Sequence, residues 1–159
     1  MKIGVISDTH IPSRARQVPD QVFDLFEGVD AVIHAGDVVN KQVLIDLRAI
    51  APLHAVLGNC DPTSLDLPET LVVDAASWKV GVIHDSGGKA ARRRSLRHRF
   101  PECRVVVFGH SHQPMIEDDG DLLLVNPGSA CDPRFARVPT VAMLDLAVSG
   151  PKARLIELR

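Results

Sequence analysis

A layered α/β fold, with two stacked β-sheets and flanking helices, is what the hydrophobic pattern of this chain predicts. Three observations lead there. Over the first 60 residues, short apolar runs alternate with helical periods in the order β-α-β-α-β. Crossover helices of that kind imply parallel strands covered on both faces. After residue 100 the chain shows only short strand-like runs bounded by turn residues, which predicts antiparallel sheet. Finally, five of the apolar runs end in Asp, Asn or His, which places polar chemistry along one edge of the sheets.

The elements follow in order. Residues 2–6 are apolar and rich in β-branched side chains, and they end in a polar turn. Val22, Phe23 and Phe26 stand at helical spacing, so 19–27 reads as a helix; Pro19 suits its start and Gly28 its end. Residues 31–34 form the next strand. Val39, Val43, Leu44, Leu47 and Ile50 keep a helical period over 39–50. Residues 53–57 make a third strand, and 61–68, punctuated by Pro62 and Pro68, a loop. Runs at 71–73 and 79–83 read as strands of a hairpin. A helix is expected over 87–100, entered through Gly87-Gly88 and closed before Pro101. Strands follow at 104–108, 122–125, 140–146 and 153–158. Asp118-Asp119-Gly120-Asp121 has the composition of a tight hairpin turn.

Composition sets outer bounds. The 159 residues suit a single domain spanning 1–159 with one core. Hydrophobic residues make up 45% and the net charge is −2, so no whole-chain field points to nucleic acid or an anionic membrane. With no tyrosine and one tryptophan, a stacking platform for single strands is not expected either. Apolar stretches fall well short of the ~20 residues of a membrane span. Met1-Lys2 leads straight into the first strand, so no signal peptide is expected. Cys60, Cys103 and Cys131 share no CxxC spacing. They read as free thiols of a reducing compartment, with the cytoplasm as the expected location. Arg92-Arg93-Arg94 with Arg97 and Arg99 reads as a solvated helix face, or as a guide for an anionic substrate.

The strand ends carry the chemistry. They hold Asp8 and His10 in ISDTH, Asp37 in IHAGD, Asn59 in VLGN, His84 in VGVIH, and His110 and His112 in VVFGHSH. In α/β sheets, sites form beyond the carboxyl ends of strands. Seven ligands exceed the needs of one metal ion and suit two that share a carboxylate; Asp37 has two oxygens and can bridge. Imidazole and carboxylate donors suit Mn²⁺, Fe²⁺, Ni²⁺ or Zn²⁺ better than Ca²⁺ or a pure Mg²⁺ site. A two-metal centre is a hydrolytic device, most often for phosphate esters.

ISDTH, HAGD, GNCD, the strand-end His84 and GHSH, in that order, resemble the calcineurin-like metallophosphoesterases. That family's pattern is DxH, GDxx, GNH(D/E), H and GHxH. Asn126 to Ser129 spell NPGS, common in its small bacterial and archaeal members. The resemblance implies a four-layer αββα sandwich with two mixed sheets flanked by helices. It implies two divalent ions per chain, Mn²⁺ foremost, with Fe²⁺, Ni²⁺, Zn²⁺ or Mg²⁺ as alternatives. Asp8, His10, Asp37 and His112 resemble the ligands of one ion. Asp37, Asn59, His84 and His110 resemble those of the other. The implied reaction is attack on a small phosphate ester, foremost a diester, by a hydroxide held between the ions.

Two departures stand out. Cys60 occupies the position where the family carries His, taken as the acid that protonates the leaving group. A thiol is a poorer donor there, so activated esters are expected to be preferred, with Asp61 or a water as backup. Asn59 is expected to donate a hydrogen bond to a phosphate oxygen as well. His84-Asp85-Ser86 replaces the usual His-Gly, which alters the local shape. Rival readings are a non-catalytic metal-binding scaffold of the same fold, a phosphomonoesterase, or a nuclease. The substrate pocket of so small a domain is expected to be shallow or completed by a neighbouring chain, so a homo-oligomer is a possible partner arrangement. His34 and His54 read as core or supporting residues, with His34 near enough to Asp37 to orient a ligand. Asn126 to Ser129 reads as a turn supporting the site, and Arg134 and Arg137 as phosphate-attracting side chains.

Overall fold

Runs of β-branched and other apolar residues build ten strands, and three short amphipathic helices cover them. The computed structural model describes residues 1–159. In chain order the elements are β1 (Lys2–Ile6), α1 (Asp20–Phe26), β2 (Ala31–His34), α2 (Lys41–Arg48), β3 (Leu53–Ala55), a 3-10 turn (Thr63–Leu65), β4 (Thr70–Ala75), β5 (Trp78–Ile83), α3 (Arg92–Arg99), β6 (Val105–Val107), β7 (Met115–Asp118), β8 (Leu123–Asn126), β9 (Thr140–Ala147) and β10 (Gly150–Glu157). One five-stranded sheet has the order β10-β9-β1-β2-β3; the other has β4-β5-β6-β8-β7. β1 pairs in parallel with β2, and β2 with β3, as the early alternation predicted. β9 runs antiparallel to β1, so the sheet is mixed.

The layers follow from which face of each strand is apolar. Ile3, Val5, Ala31 and Ile33 of the first sheet meet Val80, Val82, Val105, Val107, Leu123 and Val125 of the second. Val22, Phe26, Val43, Leu44 and Leu47 of α1 and α2 cover the outer face of the first sheet at Val32, Val141 and Met143. Leu96 of α3, with Phe100, covers Val106, Phe108 and Leu124 on the outside of the second. This is the expected four-layer αββα sandwich. Burying such side chains contributes about 1.5–3 kcal/mol each. Two strand glycines permit the close approach of the helices. A Cβ on Gly4 would lie 2.6 Å from the Phe26 ring, and one on Gly81 would lie 2.7 Å from Phe100.

Some elements differ from expectation. α2 begins at Lys41, where the Asn40 side chain accepts the Gln42 N–H at 2.9 Å and caps the helix. α3 begins only at Arg92, after a turn, and has no side-chain cap. The final third is not purely antiparallel, because β8 pairs in parallel with β6. The chain leaves β6, passes to the sheet edge as β7, and returns through the Asp119–Gly120 turn into β8. β7 is a half-exposed edge strand with the sequence MIED, too weakly apolar to register in the pattern.

The arginine run is a strap rather than a wholly solvated face. Arg93 donates to the Leu122 carbonyl at 2.6 Å and pairs with Asp119 at 2.9 Å. Arg97 reaches the Cys103 carbonyl at 2.9 Å and Asp121 at 2.8 Å. Together they tie α3 to the turn between β7 and β8. Of the basic side chains of α3, Arg94, His98 and Arg99 are exposed. No helix is long and apolar enough to cross a membrane.

Candidate metal centre

The strand ends bring all seven predicted side chains to one edge. Asp8 and His10 follow β1, Asp37 follows β2, Asn59 follows β3, His84 follows β5, and His110 and His112 follow β6. Five of the seven have left-handed backbones: Asp8 (φ 54°), His10 (46°), Asp37 (57°), His110 (67°) and His112 (56°). Non-glycine residues adopt that region at a cost of about 1–3 kcal/mol each, and such strain clusters at functional sites. The glycines of the motifs let the loops interlock. A Cβ on Gly58 would fall 2.2 Å from the Asp37 nitrogen, and one on Gly109 would fall 2.0 Å from Ser7 Oγ.

The donors form two groups that meet at Asp37. Around the first, His112 Nε2 lies 3.4 Å from Asp8 Oδ1 and 3.2 Å from His10 Nε2, and His10 Nε2 lies 3.3 Å from Asp37 Oδ2. Around the second, His84 Nε2 lies 3.3 Å from the same Asp37 Oδ2 and 3.0 Å from Asn59 Oδ1. His110 Nδ1 is 2.9 Å from that Asn59 oxygen. The other Asp37 oxygen is held by the Cys60 N–H at 2.8 Å.

This donor set fits cations. His84 Nδ1 contacts the Ala35 carbonyl at 2.7 Å, and His112 Nδ1 contacts the Asp132 carbonyl. A carbonyl only accepts, so each Nδ1 donates and each Nε2 is the nitrogen left to face the centre. His84 Nε2 converges with the acceptors Asn59 Oδ1 and Asp37 Oδ2, a set that only a cation satisfies, either a proton on Nε2 or a metal ion in its place. Asp8 Oδ1 is buried with no hydrogen-bond partner. Burial, only partly offset by the Ser7 hydroxyl, raises the Asp8 carboxyl to about 7. Burial also acts to raise Asp37, but contacts with His84 and the Cys60 N–H hold it well below the usual carboxylate range. His84 is raised: burial lowers it, and the Asp37 and Asp8 carboxylates outweigh that. Burial lowers His10 and His112, keeping them neutral and able to ligate.

Around the donors lie supporting residues. Asp61 accepts the N–H groups of Asp37 (3.0 Å) and Gly58 (2.8 Å) on one oxygen and that of Val39 (2.6 Å) on the other. Both oxygens thus accept N–H groups, and Asp61 braces the turn that carries Asp37. Cys60 is exposed and takes a hydrogen bond from Asn59 Nδ2 at 3.4 Å. Burial and the Asp37 charge raise its pKa, so the thiol stays protonated. Ser129 Oγ donates to the Asp8 carbonyl at 2.7 Å, and Asn126 Nδ2 donates to the Gly109 carbonyl at 2.9 Å. The NPGS turn thus braces two ligand loops. Sequence reasoning missed Ser7, Thr9 and Asp132, which contact ligands or their loops. Only the adjacency of Ser7 and Thr9 to Asp8 could have pointed to them; nothing pointed to Asp132. A cleft of about 410 Å³ opens beside Asn59 and His84, lined also by Glu69, Thr70 and Arg99. A larger one, about 570 Å³, sits at the opposite end of β1 around Lys2, Asp145 and Lys152, away from the donors.

Fold and site together define a layered α/β protein with a cluster of His and Asp donors at its strand ends, a candidate metal site. A family model described as calcineurin-like phosphoesterase superfamily domain matches residues 1–149, and the chain belongs to that superfamily. A probable metallophosphoesterase of Methanothermobacter thermautotrophicus is 40% identical over 155 residues, 96% of this chain and 88% of the relative. A phosphodiesterase of Methanocaldococcus jannaschii is 30% identical over 164 residues, 91% of this chain and 93% of the relative. Among solved structures, a predicted phosphoesterase of Streptococcus pneumoniae aligns with TM-score 0.78 at 28% identity, over 98% of this chain and 88% of that one. Zinc-complexed Vps29 of Entamoeba histolytica gives TM-score 0.78 at 22% identity over 99% of each chain, a likeness of fold.

Proposed function

We propose that this chain is a phosphodiesterase that works with two divalent cations, Mn²⁺ foremost. Asp8, His10, Asp37 and His112 hold one; Asp37, Asn59, His84 and His110 hold the other. The observation that carries the reading is Asp37 Oδ2, 3.3 Å from both His10 Nε2 and His84 Nε2: one carboxylate oxygen joins both donor groups. Cations held there would supply Lewis acidity for activating a water and offsetting charge on the phosphoryl oxygens. The chain's own residues do the rest. Asn59 turns its oxygen to His84 and His110 and its Nδ2 toward Cys60, so the same amide can donate to a phosphate oxygen. The protonated Cys60 thiol stands beside His10 and Asp37 as the proton source for the leaving alcohol. Asp61 positions Asp37 rather than moving a proton.

The test is hydrolysis of bis-p-nitrophenyl phosphate and of the monoester by metal-stripped protein, with and without Mn²⁺, beside Asp37→Ala. Diester turnover that requires metal and vanishes in Asp37→Ala supports the reading. Two bound metals per chain with no turnover of either ester moves the assignment to a metal-binding scaffold of the same fold.

A further inference from the structure

The two loops rimming the centre at His10 and His112 are unbalanced in charge. Residues 11–19, after β1, carry Arg14 and Arg16 and no carboxylate. Residues 131–139, before β9, carry Arg134 and Arg137 and a single carboxylate, Asp132. The chain as a whole is slightly acidic, at −2, so this is a local excess of cations.

Asp132 anchors two of them. Its Oδ2 lies 3.3 Å from Arg14 Nε and 3.4 Å from Arg134 Nε, and its backbone oxygen contacts His112 Nδ1. The residue that orients a metal-centre imidazole therefore also fixes two guanidiniums beside it. Each arginine binds through Nε alone, so its terminal nitrogens are left without a partner, unlike those of Arg93 and Arg97. The side chains are 58% and 43% exposed. The Arg134 charge is felt at His10, His112 and Cys60, beside the Asp132–His112 contact. Paired terminal N–H groups match phosphate oxygens two at a time.

We propose that Arg14 and Arg134 form an anion subsite for a group beyond the scissile phosphate, so the preferred substrate is a phosphodiester bearing a second phosphate. This rests on the phosphodiesterase reading above. The second phosphate could belong to a nucleotide or to a phosphorylated sugar. Phe135, 90% exposed next to Arg134, offers a stacking face for a nucleobase.

The experiment compares the p-nitrophenyl ester of thymidine monophosphate with its analogue carrying a further phosphate on the sugar, on the Mn²⁺-loaded enzyme. The parent protein should show a KM lower by about tenfold for the doubly phosphorylated ester, as for a charge-assisted contact, and added salt should shrink the gap. In R14A/R134A the two KM values should converge, while R14K/R134K keeps part of the gap. Phe135→Ala raising both KM values supports a nucleotide source; no change in either supports a phosphorylated sugar at the same subsite. Equal KM values for the parent, with bis-p-nitrophenyl phosphate still turned over, overturn the subsite alone. No turnover of any diester overturns the phosphodiesterase reading and the subsite with it.

Discussion

Asp61 accepts the backbone N–H of Asp37 at 3.0 Å, and so fixes the turn that carries the carboxylate shared by both donor groups. The turn is strained: Asp37 and Val39 both have positive φ, 57° and 69°, and a β-branched residue there is a marked outlier. Asp61 takes the N–H of each, and that of Gly58 as well. One side chain thus locks the loops after β2 and β3 together.

Replacing Asp61 with Ala strands three part-buried N–H groups. At about 1–3 kcal/mol for each unmet group, a loss on the order of 3 kcal/mol is expected in urea unfolding. Metal affinity should drop by about 10–100-fold, as for other residues that orient ligands. Asp61→Asn separates positioning from acid catalysis. A positioning role lowers activity and leaves both limbs of the pH–rate profile in place, whereas loss of the alkaline limb would restore Asp61 as the acid.

The proposed role of Cys60 at the leaving group can be tested directly. Its raised thiol pKa keeps a proton available but makes it slow to leave. Hydrolysis of p-nitrophenyl diesters, whose leaving group needs little help, should change by less than about threefold in Cys60→Ala. Cys60→His should speed an unactivated alkyl diester, within the roughly 10²–10⁴-fold range of general acid catalysis. Equal effects of Cys60→Ala on activated and unactivated esters would remove Cys60 from proton transfer.

The strands and the donors were legible in the sequence for one reason. A strand buried on both faces is an unbroken apolar run, and its chemistry follows at its carboxyl end, as with Val-Gly-Val-Ile-His84. Four things were not legible. β7 lies half exposed at a sheet edge, so its MIED sequence carries no strong period. α3 starts late because residues 87–91 include no capping side chain. The role of Asp61 depends on which N–H groups its oxygens face, and residue type does not encode that. The same holds for Asp132, which meets Arg14 from a distant part of the chain.

Ser129 is a brace and not a nucleophile. Its buried hydroxyl donates to the Asp8 carbonyl of the β1 loop and accepts the N–H groups of Cys131 (3.2 Å) and Asp132 (2.8 Å) in its own turn. Ser129→Ala should cost about 1–3 kcal/mol in unfolding free energy and leave measurable metal-dependent turnover. Complete loss of turnover in a folded, metal-loaded Ser129→Ala protein would contradict this.

His34 should make the metal-free protein sensitive to acid. The ring is fully buried. The Gly36 N–H donates to Nδ1 at 3.2 Å, so Nε2 carries the proton and meets Thr9 Oγ1 at 3.2 Å. Burial first, then the His84 charge, lowers its pKa from 6.5 to about 3. The folded ring therefore stays neutral where the unfolded chain takes up a proton. Its contribution is intact above pH 6.5 and is lost as pH falls toward about 3, by up to about 1.4 kcal/mol per pH unit. Other groups titrate in this range, Asp8 among them, so the comparison is with His34→Gln, in which they are retained. Urea unfolding at about pH 7.5, 6 and 5 should show the parent losing stability relative to the variant as pH falls. Parallel pH dependences for the two proteins would mean that His34 takes up its proton equally in the folded and unfolded states, and the buried neutral ring would have to be abandoned.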